Sequence, residues 1–215
     1  MTSPLRTYHH GDLRHALIGE GLQLARTGGP AAVTLREATR AAGVSPNAAY
    51  RHFTDRDALV RAVAREAQLA LAGAITARVE ATPADLAPAA AAVERLRRVG
   101  TAYIDFARAE RGLFETAFFT QDTHANDAIV TLDDQIVAPF RLLMDTLDAM
   151  VDAGALAPER RPYAEWACWS AVHGFADIAV HGPLRWQPES VVDALAAAVV
   201  EAAITGVRGT PAPPS

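Results

Sequence analysis

The chain has 215 residues, half of them hydrophobic, a formal net charge of −5 and one cysteine. That length and apolar content bury a substantial core and exclude a disordered chain. The lone Cys168 excludes an internal disulfide and a cysteine-rich metal site, which leaves it as a small buried side chain.

No uninterrupted apolar run reaches the roughly eighteen residues of a spanning helix. The first twenty positions mix acids, histidines and arginines, so no secretory leader is expected and a cytoplasmic location, with no membrane partner, follows. The charge is unevenly spread. Residues 1–65 hold nine arginines and five acids, a balance of +4, whereas residues 66–215 hold eleven arginines and twenty acids, a balance of −9. A basic head on an acidic body suits a protein that meets phosphate at one end, although chance variation in a mixed surface gives the same split.

Helical spacing dominates and nothing reads as a strand, so the fold class is all-α with about nine helices. Leu13, Leu17, Gly21 and Leu24 mark one face of a first helix over about 12–27, stopped by Gly28-Gly29-Pro30. Gly19 and Gly21 each cost this helix about 1 kcal/mol relative to alanine, so packing must hold it. Thr34-Leu-Arg-Glu37 is a capping box in which Glu37 reaches back to the cap, opening a short helix to about Ala42 that Gly43 ends. Ser45 offers a capping hydroxyl, and Pro46 begins a third helix of about seven residues.

Asp55 caps a fourth helix running to about Ala81, where Thr82-Pro83 halts it. Further helices read as 88–110, 112–119, 127–153 with a bend near Pro139, 161–181 opening with Pro162, and 189–206. The organisation that follows is a helix-turn-helix domain at 1–60, with a linking helix over 56–81, then an effector-binding and dimerisation domain at 61–207. Residues 208–215, rich in proline, form a disordered tail.

Two short helices joined by three residues around a glycine have helix-turn-helix geometry, in which the second helix enters the major groove of duplex DNA. Ala38, Val44, Ala49 and Phe53 close the small core between them, and this leaves Pro46, Asn47, Ala48 and Arg51 facing outward. Arg36 can present two donors to guanine, Asn47 can pair bidentately with adenine, and Ala48 can meet a thymine methyl. Arg51 reaches a base, a phosphate or only solvent. Ser45 and the start of the third helix offer N–H groups suited to phosphate. Arg56, a cation at a helix N-terminus, opposes the macrodipole and so points to an outside anion, unless it is only solvated beside Asp55 and Asp57.

These motifs, Thr34-Leu-Arg-Glu37, Ala42-Gly-Val-Ser-Pro46, Tyr50-Arg-His-Phe53 and Arg56-Asp-Ala-Leu59, are similar to those of the TetR family of one-component repressors. The match is dense over about 12–60. Tyr8-His-His-Gly-Asp-Leu13 and Trp169-Ser-Ala-Val-His-Gly174 resemble the subgroup with a Trp…His-Gly signature in its C-terminal domain. The resemblance implies that Tyr50 and His52 contact backbone phosphate, and that Arg56 stands in for the usual lysine. It also implies a homodimer on a palindromic operator, with a small-molecule effector that releases the DNA.

Eleven of the fourteen aromatic residues lie in the body, and Phe106, Phe118, Trp169 and His173 are the expected borders of a mostly apolar effector cavity. Any one of them can equally be plain core. His173 lies one turn after Trp169 and one before Asp177, the placement of a polar handle or of a satisfied core histidine. His9 and His10 invite a metal reading, but adjacent side chains diverge and no further ligands complete a shell, so no metal and no cofactor are expected. Val192, Leu195, Val199 and Ala203 form an apolar stripe on the last helix that needs a cover, either a second copy of the chain or its own body. An enzyme or carrier with a vestigial head is the alternative, and a scaffold that has lost effector sensing is another. The sequence offers no phosphate loop, zinc-protease motif or nucleophile elbow for catalysis.

Overall fold

In the computed structural model, residues 10–119 and 137–209 are described, with side chains from Leu13 onward. Expectations for Tyr8 and His9, for the side chains of His10 to Asp12, for the helical stretch 127–136 and for the tail beyond Gly209 lie outside what is described. Among the described residues the chain forms nine α-helices and no strand: α1 (His10–Ala32), α2 (Leu35–Ala42), α3 (Pro46–Ala49), α4 (Arg56–Glu80), α5 (Pro88–Ala109), α6 (Arg111–Phe118), α7 (Ala138–Asp152), α8 (Ala164–Val180) and α9 (Glu189–Arg208).

Local chemistry explains most boundaries. In α1 the first helical run breaks at Gly28 and Gly29, as expected, the latter at φ 62°, and a short helical turn resumes at Pro30. Thr34 Oγ1 accepts the Glu37 N–H at 3.1 Å. The second half of the expected capping box is missing: the Glu37 carboxylate turns instead to Arg40, 2.7 Å away, one turn along its own helix. Gly43 takes φ 70° and closes α2, its N–H donating to Arg40 O while the Val44 N–H donates to Thr39 O. Asp55 Oδ1 accepts the Ala58 N–H at 2.7 Å and starts α4. α8 begins at Ala164 rather than at Pro162, because Tyr163 before it sits at φ 64°.

The chain packs as two compact units. One joins α1, α2, α3 and the start of α4 to α6; the other joins the rest of α4 to α5, α7, α8 and α9, with chain boundaries after Gln68 and Ala109. The expected division after residue 60 therefore shifts, and α6 belongs with the head. The reason is a close backbone approach. A Cβ on Gly112 would stand 2.0 Å from Ala25 O, so only glycine lets α6 lie against α1. Arg26 and Glu110 pair at 2.7 Å at the edge of the same seam, and Leu113 and Phe114 are fully buried.

In the second unit α5 is the central helix, packed by α7, α8 and α9. Its Leu96, Tyr103 and Ile104 are buried, as are Leu147 and Met150 of α7 and Val180 of α8. On α9 the buried row is Val192, Ala196, Val200, Ile204 and Val207. The expected stripe through Leu195 thus splits, for Leu195 is 40% exposed and lies off the row that meets α5 and α8. Two ion pairs fasten α9 to α5, Arg97 with Glu201 and Arg108 with Asp193.

The glycine contacts predict opposite outcomes in α6 and α1. Gly112→Ala forces the two helices apart and is expected to cost about 3 kcal/mol. Gly19→Ala, whose added Cβ meets nothing within 4 Å, should stabilise by up to about 1 kcal/mol. Urea unfolding of both variants checks the pair; a neutral Gly112→Ala would contradict the packing.

Candidate functional site

α3 is only four residues long, not seven, and continues as a turn in which the His52 and Phe53 N–H groups both donate to Ala49 O. Such a helix has no stability alone. Ala49 is buried where α3 packs on α2, whose Ala38 and Thr39 are also buried, and Phe53 is buried with Arg14 of α1 5.3 Å from its ring. The Thr39 hydroxyl is satisfied within α2 by Leu35 O and Arg36 O. Val44, expected in this core, is only half-buried.

With one side of α3 pinned, the other is held out. Arg36, Ser45, Pro46, Asn47 and Arg51 are exposed, Tyr50 is 58% exposed, and Ala48 and His52 are half-buried. Ser45 makes no side-chain cap; its carbonyl instead accepts the Ala48 N–H at 3.0 Å. Asn47, Ala48 and Tyr50 thus share one projecting turn, while Arg36 is exposed on α2.

Arg56 is differently placed. Its Nε donates to Val33 O at 2.9 Å and its Nη2 donates to Pro30 O, while Asp57 lies 3.6 Å away. The charge that the sequence assigned to an outside anion is therefore engaged within the head. It satisfies carbonyls left over where α1 ends, which removes the argument that its position by itself requires a phosphate.

In the second unit Tyr103, Phe140, Trp166, Trp169 and His173 form a continuous aromatic cluster. Trp169 stacks on His173 at 5.6 Å and 13°, and meets Tyr103 and Phe140 edge-on, each at 5.2 Å. Tyr103 Oη and His173 Nδ1 share a 2.6 Å hydrogen bond. Burial drives the tyrosine pKa up. It also drives that of His173 down, against the opposing pull of the Asp177 carboxylate. Both groups are therefore neutral at neutral pH.

Beside this cluster lies a small cavity whose walls include Gly100, Tyr103, Leu143, Cys168, Trp169 and Val200. Of the four expected cavity residues only Trp169 lines it. Phe106 is half-buried and not among its walls, and neither is His173, which is bonded to Tyr103 and stacked on Trp169, two residues that are. Phe118 belongs to the first unit, packed on Phe114 at 5.4 Å. The misplacement has a simple cause: helical spacing ranks aromatic residues by face, not by which neighbouring helix the face meets. Cys168 and Gly100, missed as wall residues, carried no signal beyond helical periodicity, whereas Tyr103 stood among the aromatic residues of the body that could line a pocket. Cys168 is buried, and its thiol pKa is pushed up to about 11, first by desolvation and then by Glu165.

A projecting short helix held by a glycine turn on an all-helical frame defines a helix-turn-helix transcription regulator. Residues 17–63 match the profile for bacterial regulatory proteins of the tetR family, and residues 96–203 match that for the tetracyclin repressor-like C-terminal domain. The chain belongs to the TetR family. No curated protein matches it. Among solved structures it is similar to a protein of unknown function from Rhodococcus sp. RHA1, 28% identical with a TM-score of 0.72, covering 95% of this chain and 100% of that one. A tetR-family regulatory protein from Rhodococcus RHA1 aligns over 92% of this chain and 98% of its own at 21% identity, TM-score 0.58. A TetR variant from Acinetobacter baumannii AYE in complex with minocycline aligns over 90% and 97% at 20% identity, TM-score 0.55.

Because folding lowers the His173 pKa, unfolding takes up a proton there. The stabilisation is complete above the unfolded value of about 6.5 and is lost as pH falls through it toward the lowered folded value. The thermal midpoint should therefore drop between about pH 7.5 and about pH 5.5, and His173→Gln should flatten that slope. Differential scanning fluorimetry across this range is the check; an unchanged slope in the variant would contradict the assignment.

Proposed function

We propose that this regulator is a homodimeric repressor that binds a palindromic operator and is released by a small, largely apolar effector. The observation that carries the reading is the outward face of α3. Asn47, Tyr50 and Arg51 stand exposed on a segment whose inward residues, Ala49 and Phe53, are almost wholly buried. In this reading Asn47 and Arg36 address base edges, Ala48 a thymine methyl, and Ser45, Pro46, Tyr50, Arg51 and His52 the phosphate backbone or flanking bases. Arg56 stabilises the frame beneath them and adds positive charge near the phosphates. The net +4 of residues 1–65 supports contact with a polyanion, and a DNA partner goes with a cytoplasmic location.

Dimerisation is supported by α8 and α9. Their outer faces carry Ile178, Val191 and Leu195, all exposed large apolar side chains, beside Gly174 and Ala198. A second copy of the same helix pair would cover this face as a four-helix bundle. Twofold symmetry then sets two α3 segments roughly 34–36 Å apart, the spacing of successive major grooves. Effector binding in the second unit would favour a spacing that no longer fits, provided that the effector prefers the released form by several kcal/mol.

A band-shift titration with DNA from upstream of the protein's own coding region tests the reading, which predicts a sequence-dependent shift at moderate salt. Asn47→Ala should relax preference at one base pair per half-site, a loss of about 1–3 kcal/mol of discrimination, with an unchanged melting temperature. Arg56→Ala should lower both melting temperature and affinity, because it uncovers the carbonyls of Pro30 and Val33. Equal losses on operator and random DNA for Asn47→Ala would remove it from base readout.

Gly174→Arg isolates the dimer. An added Cβ at Gly174 meets nothing within 4 Å, so the subunit should fold while the charge and bulk block a partner helix. Light scattering after size exclusion should report a monomer; a stable dimer would place the interface elsewhere.

A further inference from the structure

The arginines of the head are of two kinds. Arg26 pairs with Glu110 and Arg40 with Glu37, while Arg56 donates to the carbonyls of Val33 and Pro30. Arg14, Arg36, Arg51 and Arg65 have neither an ion pair nor a side-chain hydrogen bond among the described residues, and all four are exposed. Arg36 and Arg51 belong to the surface already assigned to DNA. Arg65 stands roughly 13 Å along α4 from Arg56, at about 1.5 Å per residue.

Arg14 is the one of the four with a ring beside its charge. Its guanidinium carbon lies 5.3 Å from the centre of the Phe53 ring, and Phe53 is buried. Leu13 next to it and Ile18 one turn on are buried too, so α1 is seated on the core of the head at this point. The Phe53 N–H in turn donates to the carbonyl of Ala49, the last residue of α3. The cation therefore sits beside the end of the projecting turn, on a helix outside the α2–α3 pair. A ring attracts a cation through its quadrupole but takes none of its directed N–H bonds, so the guanidinium donors stay open to an outside acceptor. A cation without an internal acceptor is what the position of Arg56 suggested and its contacts refuted; at Arg14 the contacts leave it standing. An arginine already rested on a buried ring also gives up less side-chain freedom when it takes a ligand.

We infer that Arg14 is a further contact to the DNA backbone, supplied by α1 and held in place by Phe53. This rests on the proposed operator reading and adds one residue and one helix to it. The partner is a phosphate and not a base edge, because Arg14 stands beside the projecting turn and not on it, and an open guanidinium matches an anionic oxygen.

The full-length protein is titrated with a labelled random-sequence duplex of about 30 base pairs, at salt concentrations from about 50 to about 200 mM, with fluorescence anisotropy as the readout. Arg14→Met keeps an apolar stem on Phe53 and removes the charge. It should leave the melting temperature unchanged, weaken binding about tenfold, and reduce the slope of log affinity against log salt by about 0.9, the share of one phosphate contact. Arg14→Lys should keep the slope. Arg65→Met removes an equally exposed charge far from the turn and should keep it as well, since salt screens charges at that range. An unchanged slope in Arg14→Met would overturn the inference. So would an equal reduction in Arg65→Met, which would leave only net charge, or a lower melting temperature with a native slope, which would make Arg14 a prop for Phe53. The same titrations with the upstream DNA separate the two readings. Preference for upstream DNA with a native slope in Arg14→Met removes this contact alone; a reduced slope in Arg14→Met with no preference for upstream DNA removes the operator reading alone.

Discussion

A helix of four residues cannot stand in water, and the output of this protein depends on one that must stand still. The constraint is met by small side chains. Ala38 and Ala49, both fully buried, let α2 and α3 approach, and Phe53 closes the space beneath them. Gly43 supplies the left-handed turn that aims the second helix away from the first. Everything proposed for DNA recognition follows from this rigid offset, because a side chain can discriminate bases only if its backbone is fixed before contact.

The head is also an assembly of distant pieces. α6, separated from α3 by more than sixty residues of sequence, packs on α1 through the bare backbone of Gly112. Gln68 of α4 donates to Ala117 O at the other end of the same helix. Arg56 joins the start of α4 to the carbonyls where α1 ends. Arg56 is therefore part of the scaffold first. Its charge remains part of the field that DNA would meet, since an internal hydrogen bond to a neutral carbonyl does not neutralise a guanidinium.

The body uses the opposite material. Rings replace small residues, and Trp169 sits at their centre between Tyr103, Phe140 and His173. The polar tips of Tyr103 and His173 satisfy one another, and the cavity beside them is lined mostly by apolar side chains. α9 borders this cavity with Val200 and Ile204 on its inner face and presents Val191 and Leu195 outward, on the face proposed for a second copy.

Much of this was legible in the sequence because it is local. Thr34, Gly43, Pro46 and Asp55 announce their turns by chemistry that acts within four residues, and helical periodicity separates buried from exposed faces. The family motifs over 12–60 lie in the same stretch. What the sequence left open is whatever depends on which helix lies opposite. Glu37 had Arg40 as a nearer partner than its own cap; Arg56 found carbonyls more than twenty residues back; Phe118 went to the head, while Gly100 and Cys168 came to wall the cavity. Local order is encoded by neighbours along the chain, and sequence alone suffices for it. Which long-range contact satisfies a given face is decided only when all the helices compete for the same limited space, and that competition is resolved by tertiary packing.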